Sequence, residues 1–143
     1  MSHITCKTCK VQNKYVSIQE SISFTPHYLV ILLKRFYQDQ NYNFVKNNRE
    51  ILFTDRLSLF DYIDTQSFAT DTDYFRYDLI SVIFHLGTVQ GGHYITWTKL
   101  NDQWIEFDDS RVSKVNGDKK PSSSGAFVLL YKRKCIEHCL GQI

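Results

Sequence analysis

No stretch of this 143-residue sequence is long and apolar enough to cross a bilayer as a helix: the longest uninterrupted aliphatic run is 29–33, against the roughly 20 residues a transmembrane helix needs. The first ten residues carry polar side chains where a secretory leader needs an apolar core, so an intracellular location, cytoplasmic and/or nuclear, is expected. An excess of one charge is also lacking. Lys and Arg number 17 against 15 Asp and Glu, a net charge of +2, which supplies no broad field for nucleic acid or an anionic membrane, and neither partner is expected. The two prolines and six glycines sit mostly at joints between short apolar segments, and no internal repeat or heptad period is present. The four cysteines fall in two close pairs, Cys6/Cys9 and Cys135/Cys139. With no secretory leader, that usage points to reduced thiols or metal ligands rather than disulfides.

What is abundant is core material. Hydrophobic residues make up 43% and aromatic residues 15%, enough for one ordinary domain and too much for a disordered chain. The apolar segments are short and read as strands. Residues 28–36 form a continuous apolar run ending in Lys34-Arg35, as expected for a strand buried on both faces. Residues 37–48 are rich in Asn, Gln and Tyr and read as a hairpin connection or surface loop. A short strand is expected at 50–53, a helical turn at 57–63 and a polar linker at 64–73. Further strands are expected at 77–86, 92–100, 103–107, 112–115 and 126–132. The fold class that follows is α+β with a mostly antiparallel sheet.

The chemistry concentrates late in the chain. In Gly91-Gly92-His93-Tyr94 a histidine opens a strand directly after two residues that permit close backbone approach. Its unperturbed pKa near 6.5 suits a general base at neutral pH. The following hairpin turns at Asn101-Asp102. Pairing Leu100 with Gln103 sets Trp97 opposite Glu106 and Ile95 opposite Asp108, so that His93 and Asp108 become diagonal neighbours on one face. Asp109 then points to the other face, beside Tyr94. A three-residue loop would reverse this parity and favour Asp109 as the partner instead. A carboxylate accepting from one ring nitrogen would hold the tautomer and leave the other nitrogen to take a thiol proton. Taken alone, Phe107-Asp108-Asp109-Ser110 is also an ordinary polar turn after a strand.

Four blocks in order resemble the C-terminal half of the ubiquitin-specific protease catalytic domain. Residues 26–36, ending in Lys34-Arg35-Phe36, are similar to that family's strand ending in the same triplet. Residues 77–87 resemble the segment leading into its histidine box, and Gly91-Gly92-His93-Tyr94 resembles the box itself. Residues 104–112 and 126–133 are similar to its acidic box and closing strand. The resemblance implies the palm and fingers half of a papain-like cysteine protease fold over residues 1–134, with 1–25 a remnant of the fingers and 135–143 a C-terminal tail. It implies a thiol-dependent deubiquitinase with His93 as general base, Asp108 as its partner and Asp109 as a supporting polar residue. Gly91, Gly92 and Tyr94 would flank the channel for the ubiquitin tail. Ubiquitin or a ubiquitinated protein is the implied partner. No cofactor is implied for catalysis.

The departure from the family lies in the nucleophile. Nothing in these 143 residues resembles the family's box that carries the cysteine and the oxyanion-hole asparagine. Cys6-Lys7-Thr8-Cys9 resembles one of two zinc-binding pairs in the fingers, and Cys135 and Cys139 follow the closing strand with nothing to lower a thiol pKa. Alone, the chain is expected to be inactive, with a missing N-terminal half carrying the cysteine box as a further partner. A structural zinc needs four ligands, of which Cys6 and Cys9 offer two; the other pair is expected in the missing half, since the resemblance places the fingers and the terminal strand apart and so disfavours Cys135, His138 and Cys139 as the completing ligands. His3, His27 and His138 read as surface or turn residues, and His85 as a hydrogen-bonded core histidine. The competing expectation is a catalytically inactive module that binds ubiquitin or another protein.

Overall fold

The structure is a computed structural model that describes residues 4–13, 19–64, 72–116 and 124–134. Eleven strands occur among them: β1 (Ile4–Thr5), β2 (Gln12–Asn13), β3 (Tyr28–Leu32), β4 (Phe36–Gln38), β5 (Phe44–Lys46), β6 (Arg56–Ser58), β7 (Arg76–Gly87), β8 (Gly92–Leu100), β9 (Gln103–Asp108), β10 (Arg111–Lys114) and β11 (Ala126–Arg133). The helical pieces among the described residues are two 3-10 turns, Phe60–Tyr62 and Thr72–Phe75. Seven strands form one antiparallel sheet in the order β10-β9-β8-β7-β11-β3, with β6 pairing the start of β7, while β1-β2 and β4-β5 are separate hairpins.

The long strand β7 holds the sheet together. Its first half buries Tyr77 and Leu79, its second Val82 and Phe84, so the parity of the buried set switches within one strand. The ladder with β11 explains this, because the pairing jumps from Ser81↔Leu130 to Leu79↔Tyr131 and leaves Ile80 as the extra residue of a bulge. Trp97 on β8 and Leu129 and Tyr131 on β11 share that core face, and Leu59, Ile63 and Phe75 from the segments beneath the sheet close over it. Each large side chain buried there contributes about 2 kcal/mol through lost contact with water. The opposite face is covered near His85, which is buried against Phe36, and is open elsewhere. Tyr28, Val30 and Leu32 on β3, Tyr94 on β8, Phe107 on β9 and Val112 on β10 are exposed along it.

Two expectations are corrected. The run at 28–36 is not a strand buried on both faces: β3 is an edge strand whose burial alternates, with Leu29 and Ile31 turned inward. Apolar residues on both faces record a strand that this chain covers on one face only. No strand forms at 50–53. Those residues join no ladder, and the strand begins at Arg56 instead. The loop at 37–48 does contain a hairpin, β4-β5, closed by an Asp39 side chain that accepts from the backbone N–H groups of Asn41 and Asn43, both at 2.8 Å. Cys135, His138 and Cys139, with the proposed tail, lie outside the described residues, as does His3.

Candidate active site

Register delivers the pair at the mouth of β8. Asn101 and Asp102 both have positive φ, 46° and 61°, which gives the two-residue turn whose twist matches the flanking strands. Leu100 pairs with Gln103, Trp97 with Glu106 and Thr96 with Phe107. A 2.8 Å hydrogen bond from the Trp97 indole N–H to Glu106 reinforces that alignment, since a slip by one residue would place the two side chains on opposite faces. Continuing the ladder sets Asp108 diagonal to His93. Their side chains meet: Nε2 of His93 hydrogen-bonds Oδ1 of Asp108. Among the described residues no hydrogen bond reaches Nδ1 of His93, so the second ring nitrogen can accept a proton from a reacting group.

The electrostatics favour the charged imidazole. The Asp108 hydrogen bond, its charge and the nearby charge of Asp109 together raise the His93 pKa above its ordinary value, against a smaller lowering by burial. His93 and Asp108 are both partly exposed, their side chains 45% and 37% accessible, so a substrate or a facing polypeptide can reach them.

Asp109 departs from its expected place. Alternation put it on the face of Tyr94, yet its carboxylate oxygen lies within 4.8 Å of a His93 ring nitrogen and an Asp108 carboxylate oxygen. The strand ends at Asp108, and Asp109 enters the two-residue turn to β10 with φ 50°, which cancels the alternation and returns the side chain to the side of the imidazole. His93 and Asp108 are hydrogen-bonded, and Asp109 adds a second carboxylate close beside them.

The other candidates separate by face. A side chain added at Gly91 would meet nothing within 4 Å, so the backbone there is open to an approaching chain. Gly92 is closed instead: a Cβ there would collide with the His85 imidazole and sit 2.6 Å from the Leu86 carbonyl oxygen. Gly92→Ala is therefore expected to destabilise the chain by about 1–3 kcal/mol through overpacking and to lower the His93 titration midpoint. Denaturant unfolding and imidazole NMR measure the two effects, and an unperturbed double result would refute the packing account. Tyr94 is on the opposite face from His93, its ring 4.8 Å from that of His85 and 6.0 Å from that of Phe127. It can line the site from behind but does not touch the imidazole's face.

Three contributors were not picked out from the sequence as parts of the site. His85 is buried, as expected of a core histidine, but among the described residues its Nδ1 has no hydrogen-bond partner, where a hydrogen-bonded ring was expected. Burial, and secondarily Lys46, lower its pKa and keep the ring neutral. Arg35 is 2% exposed and binds backbone carbonyls of Ala126, Asn47 (2.8 Å) and Arg49 (3.0 Å). Lys46 reaches the carbonyls of His85 and Gly87. The triplet 34–36 hinted at Arg35; a lysine in a polar loop carries no such signal.

Remote from the pair, Cys6 and Cys9 occupy the turn between β1 and β2. That turn is closed by hydrogen bonds at 3.0 Å from Lys10 N–H to the Cys6 carbonyl and from Cys6 N–H to the Val11 carbonyl. Backbone N–H groups of Cys9 and Thr8 directed at the Cys6 sulfur lower its pKa. A thiolate stabilised in this way is the species a zinc ion binds, so the pair fits half of a tetrahedral site.

Residues 1–131 match the family described as ubiquitin carboxyl-terminal hydrolase. Ubiquitin carboxyl-terminal hydrolase 8 of Arabidopsis thaliana is 34% identical over 132 residues, covering 90% of this chain and 14% of the relative. The SAGA Ubp8/Sgf11/Sus1/Sgf73 DUB module bound to ubiquitin aldehyde contains a chain that superposes with TM-score 0.76 at 29% identity, covering 94% of this chain and 30% of that one. A yeast SAGA DUBm with an Sgf73 mutant gives TM-score 0.69 at 30% identity over 81% of this chain and 27% of that one. The mostly antiparallel sheet is the fold of these structures. The chain thus spans between 14% and 30% of the length of these relatives. By sequence and by fold, the chain belongs to the ubiquitin carboxyl-terminal hydrolase family.

Proposed function

We propose that this chain supplies the general base and its orienting carboxylate to a thiol-dependent deubiquitinase, the nucleophilic cysteine coming from a segment outside these 143 residues. The observation that carries the reading is the engaged Nε2 of His93 on Asp108 with Nδ1 left over, in a chain of this family. Nδ1 takes the thiol proton as the sulfur attacks the carbonyl at the ubiquitin C-terminus. The same nitrogen then returns a proton to the departing amine, and Asp108 holds the ring through both transfers. Asp109 adds negative charge beside the imidazolium. Gly91, free of neighbours above its Cα, lets an extended glycine-rich tail lie close to the backbone of the site. Zinc takes no part in this chemistry; Cys6 and Cys9 would hold it structurally with two ligands from elsewhere.

The test is reconstitution. The chain is mixed with the cysteine-bearing half of a relative's catalytic domain, and hydrolysis of a ubiquitin C-terminal fluorogenic amide is followed. The chain alone should show no turnover and the mixture thiol-dependent turnover; silence in the mixture would sink the catalytic reading. The alternative, a ubiquitin-binding module without catalysis, draws on the lack of a cysteine box in these residues. Labelled ubiquitin titrated with the chain discriminates further. Shifts confined to the ubiquitin tail are expected, and none at high micromolar chain would count against both readings.

A further inference from the structure

The end of β7 is held in an unusual way. In an antiparallel sheet, alternate residues of a central strand direct their N–H and C=O groups to one neighbour and the residues between them to the other. At Leu86 and its neighbours the β8 side is satisfied, with His85 paired to Tyr94, Leu86 to His93 and Gly87 to Gly92. On the other side β11 has run out, since its last pair with β7 is Ala126↔Phe84. His85 still donates its N–H to the Gly125 carbonyl at 2.9 Å, but among the described residues no strand donates to the carbonyls of His85 and Gly87. The Lys46 ammonium takes that place, donating to the His85 oxygen at 2.8 Å and to the Gly87 oxygen at 2.9 Å. One side chain from another sheet thereby completes the hydrogen bonding on either side of Leu86, the residue opposite His93.

Lys46 is itself firmly placed. It closes β5, and the next residue, Asn47, donates its N–H to the Arg35 carbonyl at 2.7 Å while its own carbonyl receives the Arg35 guanidinium. Arg35 in turn grips the Ala126 carbonyl at the first residue of β11. The β4-β5 hairpin, whose Tyr37, Tyr42 and Phe44 are exposed, is thus bolted to the sheet at the point where β11 stops.

We propose that Lys46 is a positioning residue for His93: by standing in for the missing strand beside His85 and Gly87 it fixes the start of β8, and so couples the β4-β5 hairpin to the ring that meets Asp108. The claim rests on the reading of His93 as the base, but its geometry can be tested without thiol or substrate.

The experiment is NMR titration of the His93 imidazole in the 143-residue chain and in Lys46→Met, Lys46→Gln and Lys46→Arg. Two explanations predict opposite signs. If Lys46 acted only through its charge, removing it would raise the His93 midpoint, because a neighbouring cation disfavours imidazolium. If Lys46 positions the strand, its loss loosens the bond to Asp108 and the midpoint falls toward about 6.5. We expect a fall of at least about 0.3 pH unit in Lys46→Met, with exchange of the Thr88 amide, which closes the turn onto the Gly91 carbonyl, about tenfold faster. Lys46→Arg, which retains charge and donors, should recover most of both effects. An unchanged or raised midpoint in folded Lys46→Met overturns the proposal. Should that variant fail to fold, Lys46→Gln, which keeps a donor and most of the stem, decides by the same readings. If reconstituted hydrolysis fails while the midpoint falls, the catalytic reading is lost and the positioning claim survives; the opposite pattern loses only the positioning claim.

Discussion

In the reconstituted hydrolase, His93→Ala is expected to reduce kcat by about 10³-fold or more, Asp108→Ala by about 10²-fold and Asp108→Asn by about tenfold. Without the imidazole no group takes the thiol proton. Alanine at position 108 removes both the orientation of the ring and the negative charge that stabilises its protonated form. Asparagine removes the charge alone, because its amide oxygen can still accept from Nε2–H. Burst-phase and steady-state kinetics on a ubiquitin amide would measure the series. Equal losses for the two Asp108 variants would show that charge, not orientation, dominates. A negligible loss in His93→Ala would remove His93 from the mechanism.

The same substitutions have a pH signature in the chain by itself. Asp108 raises the His93 pKa in the folded state, first through the hydrogen bond and then through its charge. A group whose folded pKa is raised contributes its stability in full below the unfolded value, near 6.5 for histidine, and loses it as pH rises through the folded pKa. The wild-type chain should therefore lose a small increment of stability across that window, and Asp108→Asn should flatten it. His93 and Asp108 are exposed enough for solvent to screen the pair, so the increment will be modest.

The second large effect concerns folding. Arg35→Leu is expected to cost about 3 kcal/mol, because three backbone carbonyls, those of Ala126, Asn47 and Arg49, lose a charged donor in a buried setting. For a domain of this size that loss corresponds to a fall of about 10 °C in Tm. Arg35→Lys should recover less than half of it, since an ammonium cannot reproduce the forked geometry that reaches three oxygens. Thermal melts followed by circular dichroism would measure both. A fall below about 2 °C for Arg35→Leu would mean that water replaces the guanidinium at low cost.

How far the sequence disclosed this arrangement differs residue by residue. The His93-Asp108 contact was legible because a hairpin turning at Asn101-Asp102 leaves one register, and strand alternation converts a register into shared faces. Asp109 was misplaced because alternation holds only while φ stays extended, and a single left-handed residue cancels it. Residues 50–53 were read as a strand from their side chains, but strand formation needs a neighbour to pair with. Immediately before them, Asn47 and Arg49 give their carbonyls to Arg35 instead of to a ladder. The edge position of β3 was hidden for the converse reason: an apolar run reports what a strand would bury in a complete assembly, not how much of that cover one chain provides. Lys46 was invisible because its task depends on where another strand ends, which no local pattern records.

The strand order carries a consequence for how the chain is made. Among the described residues β3, at residues 28–32, pairs with β11, at residues 126–133, so a strand made early in this stretch must wait for one made much later. Hairpins such as β8-β9 close locally and fast, whereas this pairing carries a large loop entropy and sets the pace of folding. During the wait an apolar strand with two free edges is available to any other chain. Yield in cells should therefore respond more to the rate of translation and to the supply of chaperones than to mutations in the β8-β9 hairpin.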